Sequence, residues 1–138
     1  MEQNQPILKF LGHEISRVVF EKPLGFLHGE FEVKFEHLNH INSEDINKFS
    51  SEIIITIQSK EAPVNLQVQT IGHFEIIGDA PQEVKDNFLH ISAPSIIYPY
   101  IRAFVSNLTI QTSMNPIFIP TINFANRNKF RNEETSEG

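Results

Sequence analysis

The chain contains no cysteine, which excludes a disulfide framework, a thiolate nucleophile and a zinc site built on thiolates. Its six glycines are scattered along the sequence, so no glycine-rich loop is available to cradle a phosphate. No stretch approaches ~18 consecutive apolar residues, and membrane insertion is therefore not expected. Eleven basic side chains stand against 17 acidic ones, for a net charge of -6. A field of that sign repels phosphate backbones, so nucleic-acid binding is not expected.

Catalytic and metal-binding motifs are also missing. Neither Gly-x-Ser-x-Gly nor Ser-x-x-Lys occurs, and the available nucleophiles are hydroxyl groups. His37 and His40 are three residues apart, a spacing that would place both on one helical face, but their surroundings predict a loop and no carboxylate stands at a ligand spacing. The sequence therefore offers no catalytic constellation, and it predicts no metal site and no cofactor.

The length of 138 residues supports a single domain. We expect residues 1–138 to form it, ordered over about 7–131, with the polar stretch 132–138 as a flexible tail. The first residues lack a basic region followed by an apolar one, which is the pattern of a signal peptide. A cytoplasmic location is the resulting expectation.

The composition favours strands. Nineteen Ile, seven Val and twelve Phe contrast with five Ala and eight Leu, and branched or aromatic side chains suit a pleated surface. Alternating runs predict four strands joined by short links, hence an antiparallel sheet. In the first strand, the alternation places Ile15 opposite the face that carries Val18 and Phe20. Gly72 predicts a bulge or a close backbone approach. The predicted strands are 9–21, 31–36, 52–58 and 64–70 with a continuation to residue 77.

The period changes to a helical one after the last strand. Asp79 is predicted to cap a first helix, which Pro94 would end. A second helix is predicted to begin near Ser95 and to carry a broad apolar stripe. A short last helix could lie within 121–131. The class is therefore α+β.

Charge is distributed unevenly along the chain. Between residues 87 and 126, Arg102 is the only Asp, Glu, Lys or Arg. A nearly uncharged helical segment must be buried in its own core, in a subunit interface or against a partner, and self-association is the simplest explanation. Arg102 itself is expected to pair with a carboxylate or with backbone carbonyls across an interface.

Apolar residues in the connections leave two interpretations open. They could cap the ends of the core. Alternatively, they could line an exposed groove that binds extended, unfolded polypeptide, because each buried anchor stabilises such a complex without demanding a particular sequence. The residues in question are Leu24, Phe26, Leu27, Phe31, Ile117, Phe118, Ile119, Phe124 and Phe130.

Several stretches together resemble the SecB family of export chaperones. The most specific is 93–104 (APSIIYPYIRAF), which is followed by 115–124 (NPIFIPTINF). Upstream, 19–23 (VFEKP) ends the first strand, and 72–76 (GHFEI) precedes the helices. The resemblance extends over nearly the whole chain, from residue 8 to about 131.

This resemblance implies a four-stranded antiparallel sheet with C-terminal helices packed on one side, and a homotetramer assembled as a dimer of dimers. It also implies no enzymatic activity. Instead it implies a holdase for newly made, unfolded preproteins, which are passed to the motor SecA. The client groove would use Leu24, Phe26, Leu27, Phe31, Ile117, Phe118, Ile119 and Phe124. The subunit interface would use Ile97, Ile101, Arg102, Phe104 and Leu108.

The expected acidic docking face for SecA is incomplete. Glu21 matches one acidic position, but Arg17 and Gln67 stand where further acids would be expected. Two alternatives therefore accompany the export role. The chain could be a SecB-like chaperone that stabilises the antitoxin of a toxin–antitoxin system, or a sheet-based interaction protein that is not a chaperone.

Overall fold

The computed structural model describes residues 5–126. Within them, four strands form one antiparallel sheet in the spatial order β1-β4-β3-β2. Two helices and a π-helical turn follow, so the α+β class and the four-stranded sheet are confirmed. The strands are β1 (Ile7–Glu21), β2 (Phe31–Ile41), β3 (Lys48–Ser59) and β4 (Asn65–Ile77), and the helices are α1 (Gln82–Asn87) and α2 (Ala93–Gln111), joined by the π-helical turn Phe88–Ser92.

The two faces of the sheet differ in burial. In β3 every second residue is buried, including Ile53, Ile55 and Ile57, and β4 repeats this alternation. The buried set faces the helices and forms the core, as the period of two along a strand requires. The opposite set makes up the outer face, which carries most of the polar side chains of the sheet.

β1 is longer than a regular pairing with β4 allows. Its register shifts twice, between Phe10 and Gly12 and between Ile15 and Arg17. A bulge places an extra residue in one strand and changes which side chains face the core. Ile15 therefore lies on the same inner face as Val18, and its prediction on the opposite face was wrong.

The helical region is one continuous path. The backbone N–H of Ala93 bonds to the carbonyl of Phe88, five residues back, which closes the π-helical turn. Pro94 lies directly after this turn, at the start of α2. The expected break at Pro94 was therefore wrong. The predicted cap was wrong as well, because α1 begins at Gln82 with Pro81 at the capping position and no side-chain cap.

Gly72 lies where the sheet and α2 approach each other closely. A Cβ added at this position would overlap with Cγ2 of Ile97 and would lie 3.0 Å from the ring of Phe74. Of the two predicted roles for Gly72, close approach is the one found. The bulge lies opposite, in β1.

The remaining boundaries also differ from the sequence predictions. β2 continues through His37 to Ile41, into a stretch that was predicted to be a loop. The last helix is a single turn at 124–126, and the rest of its predicted range, with the predicted tail 132–138, lies outside the described residues. No helix within residues 5–126 is long and apolar enough to cross a membrane. The oligomeric state stays a prediction.

Candidate client-binding groove

The crossover, defined as residues 22–30, joins β1 to β2. Its turn is closed by the N–H of Phe26, which donates to the carbonyl of Pro23 at 3.3 Å. Gly25, the third residue of this turn, has a φ of 83°, a left-handed value that glycine adopts without strain. The turn projects Leu24 into solvent, where it is fully exposed (100%).

The 115–120 segment follows α2 and runs beside the crossover. The backbone N–H of Asn115 donates to the carbonyl of Leu27 at 2.8 Å, which ties the two connections together. Proline residues at positions 116 and 120 keep the segment extended, since each fixes φ. The two connections therefore form one surface.

Side chains of α2 hold this segment by its carbonyl groups. Ser106 Oγ donates to the carbonyl of Ile117 at 3.0 Å, and Arg102 Nε donates to the carbonyl of Ile119 at 3.1 Å. The hydroxyl of Tyr98 donates to the carbonyl of Pro120 at 2.5 Å. Arg102 thus binds a backbone carbonyl, one of its two predicted partners, but the carbonyl belongs to its own chain.

The extended backbone sends alternate side chains in opposite directions. Ile117 and Ile119 point into the core and are buried, whereas Phe118 between them is 73% exposed. The N–H of Ile117 also donates to Thr109 Oγ1 at 3.0 Å, which fixes the direction of the alternation. Phe118 is therefore presented outward by a segment that α2 holds in place.

A groove of about 530 Å³ lies between this segment and the start of β2. Among the described residues, its lining includes no Asp, Glu, Lys or Arg. Such a lining suits an uncharged ligand. The lining consists of His28, Gly29, Phe31, Val33 and residues 115–120.

The predicted client-binding residues fall into three groups. Leu24, Leu27 and Phe118 are exposed. Phe26 and Phe31 are partly buried and pack edge to face, with 6.2 Å between ring centroids. The remaining three are buried in the core of their own chain: Ile117, Ile119 and Phe124.

Val33 was missed by the sequence analysis although it lines the groove. The signal was present, because Val33 stands between Phe31 and Phe35 on the same face of β2 and is more exposed than either. His28 and Gly29 were missed as well, and no pattern in the sequence singles them out.

The predicted interface residues are divided between two environments. Ile97 and Ile101 are fully buried against the sheet of their own chain, and Phe104 and Leu108 are partly buried against the same core. The opposite face of α2 does not pack on the sheet. It is uncharged and exposes Tyr100, Ala103, Asn107 and Ile110.

The outer face of the sheet carries Glu21 at the end of β1, where its side chain is exposed. Its neighbourhood is not uniformly acidic, because Arg17 Nη1 donates to Gln67 Oε1 at 2.6 Å. Further along the face, the ring nitrogens of His73 lie 2.9 Å from Glu14 Oε2 and 3.0 Å from Ser50 Oγ.

The histidines at positions 37 and 40 do not form a pair. Because both lie in β2, the expectation that they lie in a loop was wrong, and their spacing places them on opposite faces. His37 is buried, and its Nε2 lies 2.8 Å from Ser51 Oγ. His40 Nε2 contacts Glu52 Oε1 on the outer face. Residues 5–126 contain no group of three side chains able to hold a metal ion.

Comparison with known proteins identifies the class to which this sheet, helix and groove belong. The structure resembles that of the SecB-like chaperone Rv1957 of Mycobacterium tuberculosis, solved with a ChAD peptide from the HigA1 antitoxin. The TM-score is 0.68 at 15% sequence identity, and the match covers 83% of this chain and 89% of the other. At that identity the match shows the fold, which is that of a SecB-like chaperone.

The sequence places the chain within a family. The model of the preprotein translocase subunit SecB family matches residues 14–134, and the chain belongs to the SecB family. The protein-export protein SecB of Janthinobacterium sp. is 33% identical over 79 residues, covering 55% of this chain and 48% of that protein. SecB of Saccharophagus degradans is 27% identical over 114 residues, covering 76% and 67%.

An uncharacterized protein of Methanocaldococcus jannaschii is 36% identical over 88 residues, covering 61% of this chain and 56% of that protein. The chain thus spans about half the length of the first curated relatives that it matches. SecB family members are chaperones rather than enzymes, in agreement with the expected non-enzymatic role.

Proposed function

We propose that this chain is a holdase that binds unfolded polypeptide in the groove between the crossover, β2 and the 115–120 segment. The observation that carries the proposal is the outward presentation of Phe118 beside an uncharged groove. Leu24 and Leu27 of the adjoining crossover are exposed as well. A soluble protein exposes such a patch at a cost in solubility, so a partner for it is expected.

The test is suppression of aggregation. A slowly folding client is diluted from denaturant with and without the protein, and light scattering is recorded. Leu24→Ser should weaken the suppression, because Leu24 is fully exposed on the crossover, whose residues His28 and Gly29 line the groove. Leu38→Ser is the matched control, since Leu38 is an exposed leucine on the outer face of β2. Equal loss in both variants, or no suppression by the unmodified protein, would refute the proposal.

Two kinds of client are compatible with the proposed holdase function: preproteins for export and an antitoxin. Delivery of preproteins to SecA requires a docking face, for which Glu21 is the candidate. The hydrogen bond from Arg17 to Gln67 leaves a positively charged pair where two acidic residues would be expected. This favours the second role, stabilisation of an antitoxin, the kind of client whose peptide is bound by the M. tuberculosis structural relative.

Binding to SecA distinguishes the two roles. In the antitoxin role, SecA binds weakly and Glu21→Lys changes the affinity little. Tight, salt-sensitive binding that disappears in Glu21→Lys would instead support the export role, because rim charges act through long-range attraction that salt screens.

We also propose that the chain self-associates, as a dimer of dimers, through the exposed uncharged face of α2. An exposed helix face of a monomer normally carries charges, whereas Tyr100, Ala103, Asn107 and Ile110 carry none. A stable contact should bury at least about 1,000 Å². Multi-angle light scattering that gives a monomer mass at micromolar concentration would refute this.

A further inference from the structure

β2 has a free edge along one wall of the groove. Within residues 5–126 it pairs with β3 alone, at the end of the sheet order. A strand edge presents a row of backbone N–H and C=O groups that can template another strand. The direction in which each group of β2 points follows from the register.

Two hydrogen bonds fix that register. The N–H of Lys60 donates to the carbonyl of Glu30, and the N–H of Asn42 donates to the carbonyl of Lys48. Antiparallel strands alternate between bonded and non-bonded pairs, so the even-numbered residues of β2 bond to β3. The N–H and C=O groups of Phe31 and Val33 therefore point away from β3, toward the free edge.

The other wall of the groove does not pair with this edge, because no backbone hydrogen bond joins residues 115–120 to β2. The carbonyl groups of Ile117 and Ile119 are bound by Ser106 and Arg102 of α2. Proline residues at positions 116 and 120 have no N–H to donate. The groove thus keeps a strand edge on one side and an exposed aromatic ring, Phe118, on the other.

We infer that an extended, uncharged peptide segment adds to β2 as a fifth strand, pairing its backbone with Phe31 and Val33 and laying a side chain against Phe118. The inference rests on the proposed holdase function and specifies how the client is recognised. Main-chain pairing gives affinity without demanding a particular sequence, and the lining without Asp, Glu, Lys or Arg selects for an uncharged stretch.

The test uses a fluorescent peptide with a single Phe anchor in a Ser/Thr-rich extended sequence, N-methylated at one position at a time. Alternate N–H groups of an added strand face β2, so methylation at every second position should lower the affinity about five- to tenfold. Methylation at the positions between them should change little. The single anchor keeps the peptide in one register.

A variant of the protein tests the same contact from the other side. Val33→Pro removes an N–H that faces the free edge, where proline is tolerated, and should weaken binding by a similar factor. Val33→Ala shortens the side chain but keeps the N–H, and serves as the control. Thermal unfolding of both variants checks that the sheet is intact.

The outcomes separate this inference from the proposed function. If the unmethylated peptide binds and methylation has the same effect at every position, the holdase proposal stands and strand addition is refuted. If the unmethylated peptide does not bind, both fail. If Val33→Pro lowers the oligomer mass while peptide binding is unchanged, a second copy of the chain occupies the edge, and the inference is overturned.

Discussion

Replacement of Phe118 by alanine separates client binding from folding. Phe118 is 73% exposed. A phenylalanine side chain can bury ~200 Å², so a client could cover about 150 Å², equivalent to about 4 kcal/mol at ~25 cal/mol per Å². The conformational entropy that the side chain and the client lose on binding reduces the net contribution to the binding free energy to about 1–3 kcal/mol. We therefore expect Phe118→Ala to weaken client binding roughly five- to hundredfold.

The free energy of unfolding should change by less than about 0.5 kcal/mol in the same variant, as for other exposed positions. Phe124→Ala is the matched control. Phe124 is buried and packs against Phe35 and Tyr98, with 5.6 Å between ring centroids in each pair. Its removal leaves a cavity and should cost about 3–5 kcal/mol of folding stability.

Both quantities are measured on the same preparations, by chemical denaturation and by titration of a permanently unfolded client. The reasoning fails if Phe118→Ala unfolds as easily as Phe124→Ala while the folded fraction binds the client normally. In that case Phe118 belongs to the core, and the client surface lies elsewhere.

Three further changes test the surrounding structure. Gly72→Ala should lower the free energy of unfolding by about 1–3 kcal/mol, seen as a lower Tm, because its Cβ overlaps with Ile97. Tyr98→Phe removes the hydroxyl bonded to the carbonyl of Pro120 and should speed proteolysis of the 115–120 segment; an unchanged cleavage rate would contradict that anchoring role. Ile110→Glu places a charge on the exposed face of α2 and should reduce the oligomer mass in light scattering, whereas an unchanged mass would locate the interface elsewhere.

The strands were predictable where one face is buried. In β3 the alternation of isoleucines is a direct consequence of one face packing on helices. The second half of β2 was not predictable in this way, because His37, Asn39 and His40 are polar. It is a strand because β3 offers it a pairing partner, from Ser50 and Ser51 to Glu52, and tertiary pairing overrides local preference.

The helix was predicted to exist but not to be continuous. Proline has no N–H and disfavours helix before it, so a break at Pro94 was a reasonable expectation. The π-helical turn at Phe88–Ser92 removes the conflict, because its wider hydrogen-bonding pattern precedes Pro94. The amino-acid composition does not indicate a π-helical turn, because such a turn depends on how the helix packs on the sheet.

The site was predictable in its residue types and less so in their orientation. The uncharged stretch 87–126 was expected to be covered, and one face of α2 is indeed buried on the sheet. The orientation of the apolar residues in the 115–120 segment depends on hydrogen bonds that α2 donates to the carbonyl groups of Ile117 and Ile119. These bonds send Ile117 and Ile119 inward, and Phe118 must then point out. Arg102, the single arginine in an otherwise uncharged helix, stood out in the sequence. In the structure it binds the carbonyl of Ile119 and so helps to determine which side chains of the segment point inward.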